Sequence, residues 1–138
     1  MNIYGIGTDI IEVKRIKSAL EKYPGFKTRI YTEHEIIFCE NRKNAAAKYI
    51  SYAERFAAKE AVAKAFGTGL GKEIFFKDIE VQNMPSGQPL IKLSDKAQDL
   101  LIQKGPFDLK ISLSGIKDYA AAFAILSCGQ KIKENKWS

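Results

Sequence analysis

Histidine, cysteine and long apolar runs are what this 138-residue chain has least of. It holds one histidine, His34, and two cysteines, Cys39 and Cys128, far apart and without a CxxC spacing. That is too little for a zinc site or a disulfide framework, so both cysteines are expected to be free thiols. No apolar stretch approaches the ~20 residues that cross a bilayer, so a membrane partner is not expected. The start, Met1-Asn2-Ile3-Tyr4-Gly5-Ile6-Gly7, lacks the basic opening and apolar middle of a signal peptide, and Asp9 follows at once. A cytoplasmic location is the resulting expectation. RNP, KH and zinc-finger patterns are also missing, which argues against a nucleic-acid partner.

What is present is ordinary for a globular protein: 46% hydrophobic and 28% charged residues, with a formal charge of +6. The length suits one domain. The positive charge favours an acidic partner by long-range attraction, and by itself does not separate an acidic protein from nucleic acid or a phosphorylated cofactor. Part of the charge lies in a polar tail containing Lys131, Lys133 and Lys136. We therefore expect one domain over residues 1–128 and a flexible tail over 129–138.

Ile3 to Ile10 mixes β-branched residues with glycine and reads as a strand. Position alone makes Asp9 a helix N-cap after that strand. Val13, Ile16, Leu20 and Tyr23 then recur at helical spacing, with Lys14, Arg15 and Lys17 mostly off the stripe, until Pro24-Gly25. Thr32-x-x-Glu35 is a capping box, and Glu33 and Glu35 read as helix starters. Ala45 to Phe66 contains neither proline nor glycine and ends at Gly67-Thr68-Gly69-Leu70-Gly71, predicting the longest helix and its stop. Phe76 to Val81, the turn Met84 to Gln88, and Pro89 to Leu93 predict a hairpin. Ser94 caps a short helix that Gly105-Pro106 ends. Leu109, Ile111 and Leu113 alternate with Lys110, Ser112 and Ser114, as in a half-buried strand, whereas Tyr119 to Leu126 is apolar on both faces and belongs in the middle of a sheet. The expectation is an α+β domain, mainly antiparallel sheet against one long helix.

Glu60 and Lys64 lie four apart on that helix, so they share a face; alone, such a pair is a common solvent-facing ion pair. The glycines that follow allow amides close approach to phosphate, although Gly67 alone reads as a C-cap. In combination these segments carry more. Tyr4-Gly5-Ile6-Gly7-Thr8-Asp9-Ile10 and Arg55-Phe56-Ala57-Ala58-Lys59-Glu60-Ala61, with Lys64 to Gly71, resemble the two signature stretches of holo-acyl-carrier-protein synthases. Phe76-x-Asp78-Ile79-Glu80 with Gly87-x-Pro89, and Ser112-Leu113-Ser114 with Lys117-Asp118-Tyr119-Ala120, resemble the remaining segments in the same order.

That resemblance implies the fold of 4′-phosphopantetheinyl transferases and an enzyme of fatty acid biosynthesis. It would transfer 4′-phosphopantetheine from coenzyme A to a serine of apo acyl carrier protein, releasing adenosine 3′,5′-bisphosphate. It implies Asp9 and Glu60 as ligands of Mg2+, Glu60 and Lys64 as catalytic residues, and Arg55, Gly67, Thr68, Gly69, Gly87, Pro89 and Ser114 as coenzyme-binding positions. Lys14 and Arg15 would dock the acidic carrier protein, and the assembly would be a homotrimer with active sites between subunits. Magnesium suits the two carboxylates, since it prefers hard oxygen donors together with water and substrate phosphates. One position departs from the pattern: Gly115-Ile116 stands where the family has histidine and a small hydroxyl residue. A lost charge-assisted contact costs roughly 1.5–3 kcal/mol, so weaker coenzyme binding is expected.

Overall fold

The alanine-rich segment dictates the architecture. In the computed structural model, which describes residues 2–103 and 105–129, Ala45–Phe66 forms a 22-residue helix, α4, that is buried on nearly every side. Asn44 starts it by accepting the Ala47 amide at 2.8 Å, and Gly67, at φ 86°, ends it in the left-handed region that glycine enters without a Cβ penalty. The expected tail lies mostly beyond the described residues.

Strands β1 (Asn2–Glu12), β4 (Phe107–Gly115) and β5 (Tyr119–Cys128) form an antiparallel sheet in the order β1-β5-β4, with β5 central as its two-sided apolarity predicts. β2 (Ile79–Asn83) and β3 (Pro89–Leu93) make the hairpin. Helices α1 (Val13–Lys22), α2 (Phe26–Ile30) and α3 (Glu33–Glu40) cover the first half of α4, and α5 (Asp95–Ile102) closes the hairpin end. Two apolar clusters result. One joins the second half of α4 to β4, β5, the hairpin and α5; the other joins its first half to α1, α2 and α3, and Ile11 packs against both.

The sheet approaches α4 so closely that only glycine fits. A Cβ on Gly5 would stand 2.0 Å from the Ala65 carbonyl oxygen, and one on Gly7 would stand 1.9 Å from that of Ala61. The glycines of β1 and the alanines of α4 are thus two halves of one contact. It brings the polar end of β1 against the helix.

Several expectations need correction. β1 runs on to Glu12, so Asp9 lies within the strand; the residue preceding α1 is Glu12, whose side chain makes no capping bond. Tyr23, placed on the apolar stripe, is 61% exposed, because the helix has already ended at Lys22. Phe76–Asp78 is a 3-10 turn rather than the start of a strand, fixed by the Phe75 amide donating to the Asp78 carboxylate at 2.8 Å. The Thr32 and Glu35 capping box forms as predicted.

Candidate active site

Alternation along β1 turns Gly5, Gly7 and Asp9 towards α4 and Ile6, Thr8 and Ile10 away from it. Asp9 therefore meets the helix face carrying Glu60 and Lys64. The Lys64 Nζ donates to the Thr8 carbonyl oxygen at 2.8 Å and lies 3.5 Å from Asp9 Oδ1. Burial raises the Asp9 carboxyl above its ordinary value, with Lys64 opposing. Burial also raises Glu60, reinforced by the negative charge of Asp9 and opposed by Lys64. Two acidic groups that disfavour each other's ionisation beside one cation form a site short of positive charge.

No cluster of three or more histidine, cysteine or acidic side chains is gathered for a metal among the described residues. Two carboxylates nevertheless fit magnesium, which commonly takes one or two such ligands and completes its shell with water and substrate phosphate. Their mutual repulsion is what a divalent cation would relieve.

Beside Glu60 lies a depression of about 400 Å³ whose walls include Ile30, Leu70, Phe75 and Phe76. Arg55 opens on a second cavity of about 520 Å³, which it shares with Asn83, Met84, Gly87 and Pro89 from the hairpin and with Leu113. Three expected coenzyme positions, Arg55, Gly87 and Pro89, thus converge. Arg55 is almost fully buried; its Nη2 donates to Asn83 Oδ1 at 2.6 Å, its guanidinium sits 4.0 Å from the Phe38 ring centroid, and its Nε has no partner. Burial lowers its pKa. A buried guanidinium with an unspent donor is suited to an anion.

Gly67, Thr68 and Gly69 follow α4 directly and stand away from the Arg55 cavity; at 1.5 Å per residue, Glu60 lies ~7.5 Å and Gly67 ~18 Å along the axis from Arg55. Ser114 lies on the outward face of β4, opposite Ala121, while Leu113 turns to the cavity. Lys14 and Arg15 are exposed on α1, with Lys14 3.8 Å from Glu12.

Residues 5–124 match the 4′-phosphopantetheinyl transferase superfamily. The chain is 48% identical over 129 residues to the holo-[acyl-carrier-protein] synthase of Ruminiclostridium cellulolyticum, covering 93% of this chain and 95% of that one. This chain belongs to the holo-acyl-carrier-protein synthases. A second relative of that name, from Clostridium kluyveri, is 41% identical and covers 90% of each chain. The synthase from Bacillus anthracis, solved with CoA (3',5'-ADP), superimposes with a TM-score of 0.78 at 39% identity, covering 94% of this chain and all of that one. The Helicobacter pylori synthase, solved with coenzyme A, gives 0.75 at 32% identity, covering 88% and 99%.

Membership in this family leaves one buried arrangement that sequence reasoning missed. Lys59, within the signature stretch, is fully buried and 2.8 Å from Glu35 Oε1. Its Nζ also donates to the carbonyl oxygens of Phe76 and Ile79, while Glu35 Oε2 accepts the Val81 amide at 2.7 Å. The capping residue of α3 thereby fastens β2, and with it the hairpin wall of the Arg55 cavity, to α4. Phe38, Arg42, Glu54 and Asn83, which also line that cavity, carried no sequence signal of their own.

Proposed function

We propose that this protein transfers 4′-phosphopantetheine from coenzyme A to a serine of apo acyl carrier protein, with Mg2+ held by Asp9 and Glu60. The observation that carries this reading is the convergence of Asp9, Glu60 and Lys64 across the β1 and α4 contact. Coenzyme A is the donor because its diphosphate supplies the oxygens that a two-carboxylate magnesium site leaves open. Bound there, the ion would neutralise charge on the diphosphate as it develops.

The chain's own groups supply the rest. The carrier serine oxygen attacks the β-phosphorus, the bond to the departing 3′,5′-ADP oxygen breaks, and the hydroxyl proton must leave. Glu60 is placed to take that proton directly or through a water, the second route being the easier one for a carboxylate that also holds a cation. Lys64, fixed by the Thr8 carbonyl, faces the phosphate oxygens and offsets their growing charge. The Arg55 cavity holds the adenosine end, Gly67 to Gly69 lie along the donor's path, and the apolar depression beside Glu60 receives the pantetheine arm.

The outward face of the β1-β5-β4 sheet presents Ile6 (59% exposed), Ile10 (67%) and Phe123 (41%), with Thr8 paired to Phe123 and Ile10 to Ala121. We assign its cover to neighbouring copies of this chain, in the trimer the resemblance implies. That arrangement gives outward-facing Ser114 a place at a neighbour's site. One domain over residues 1–128, in the cytoplasm, completes the reading.

Incubation with apo carrier protein, coenzyme A and magnesium is expected to add the mass of one phosphopantetheine. Asp9→Ala and Glu60→Ala should abolish the gain, and a full gain from either variant would overturn the reading. Arg15→Glu should raise the KM for carrier protein, more steeply at low salt than at high salt, because exposed charges are screened.

A further inference from the structure

Glu54 takes no part in the chemistry above, yet its carboxylate lines the Arg55 cavity. Room for it comes from Gly115. A Cβ at that position would lie 2.7 Å from Glu54 Oε2 and 2.6 Å from Ile50 Cγ2, so any larger residue must displace one or both side chains. The position that departs from the family pattern is therefore the seat of a different polar group.

Burial raises the Glu54 carboxyl, and the charges of Arg55 and Arg42 only partly oppose it. Among the described residues, no side chain or amide donates a hydrogen bond to it. Its oxygens reach solvent, so a ligand's N–H entering the cavity would replace water there and gain a hydrogen bond to a charged acceptor. The same cavity places the guanidiniums of Arg42 and Arg55 5.1 and 4.0 Å from the Phe38 ring centroid, with Met84, Pro89 and Leu113 adding apolar surface. Cations for a phosphate, apolar walls for a flat ring and one carboxylate acceptor complement a nucleotide whose base carries an amino group.

We infer that Glu54, seated by Gly115, is a specificity-determining residue that accepts a hydrogen bond from the exocyclic amine of the donor's adenine ring. This deepens the reading of coenzyme A as donor and rests on it. The consequence is discrimination against a coenzyme A analogue in which hydrogen replaces that amine.

The test compares kcat/KM for coenzyme A and for this deamino analogue. The native enzyme should prefer coenzyme A by roughly 10- to 100-fold, the range of a hydrogen bond to a charged group. Glu54→Ala should bring the ratio within about threefold of unity. Gly115→Ala, which keeps the glutamate but crowds its carboxylate, should narrow the ratio without erasing it. The inference falls if the native enzyme uses both donors equally, or if Glu54→Ala slows both by the same factor. Should the native enzyme fail to transfer from coenzyme A at all, the parent reading falls and takes this one with it; normal transfer without discrimination removes this inference alone.

Discussion

Replacing Gly7 by alanine tests whether the contact between β1 and α4 sets the active-site geometry. The added Cβ would stand 1.9 Å from the Ala61 carbonyl oxygen, 2.9 Å from the Ala61 carbonyl carbon and 3.0 Å from the Ala65 nitrogen. Lifting the shortest of these to the 3.0 Å that real contacts respect requires at least 1.1 Å of separation. The obstacles are backbone atoms of a helix packed on nearly all sides, so strand and helix must part along their length. Overpacking of this kind costs about 1–3 kcal/mol, which lowers Tm by about 3–10 °C in a domain of this size. Asp9 moves with the strand, two residues on, and the 2.8 Å bond from Lys64 to the Thr8 carbonyl stretches or breaks. A misplacement near 1 Å costs on the order of 100-fold in rate. Urea unfolding and turnover of apo carrier protein would be measured beside Gly25→Ala, where an added Cβ meets nothing within 4 Å. That control should stay within about 0.5 kcal/mol of the native protein. If Gly7→Ala matches the control in stability and turns over within threefold of native, the close approach does not set the site.

The acidic pair predicts a pH signature. Asp9 and Glu60 have folded pKa values above their ordinary 3.8 and 4.5, so between those values and the raised ones the folded chain holds more protons than the unfolded one. Their contribution to unfolding free energy therefore falls as pH rises through that window. In urea titrations without divalent cation, Asp9→Asn and Glu60→Gln should gain on the native protein as pH rises from about 4 to 7, and magnesium should shrink the gain; a difference independent of pH contradicts this. The buried ion pair makes a separate prediction. Lys59→Met strands the Glu35 charge and should cost about 3–5 kcal/mol in urea unfolding, while adding Glu35→Gln should return part of it, so the two changes are not additive. Strict additivity would argue that the pair is not coupled.

Elements whose signal is local could be read directly from the sequence. The capping box at Thr32 and Glu35, the glycine stop after Phe66 and the two-sided apolarity of β5 each depend on residues within a few positions, and each forms as expected. Tyr23 was misplaced because helical spacing does not reveal where the last hydrogen bond falls. Glu35 was read for half of its work: its capping role is local, but its pairing with Lys59 depends on α3 and α4 lying side by side. Asp9, Glu60 and Lys64 could be named from resemblance, yet what brings them together is the fit of two glycines against two alanines, which no spacing rule states. The role proposed for Glu54 was hidden for a related reason, since the gap that holds its carboxylate is made by an absent side chain on β4.

A strand has two faces, and β1 commits both. Inward it delivers the carboxylate; outward it shows the isoleucines assigned to neighbouring copies. Because the pleat alternates residue by residue, deleting one position between Gly7 and Asp9 would turn Asp9 outward and drive Ile10 against the helix. The proposed catalytic site and the proposed assembly face therefore share a single register, and a length change in that strand cannot alter one while sparing the other.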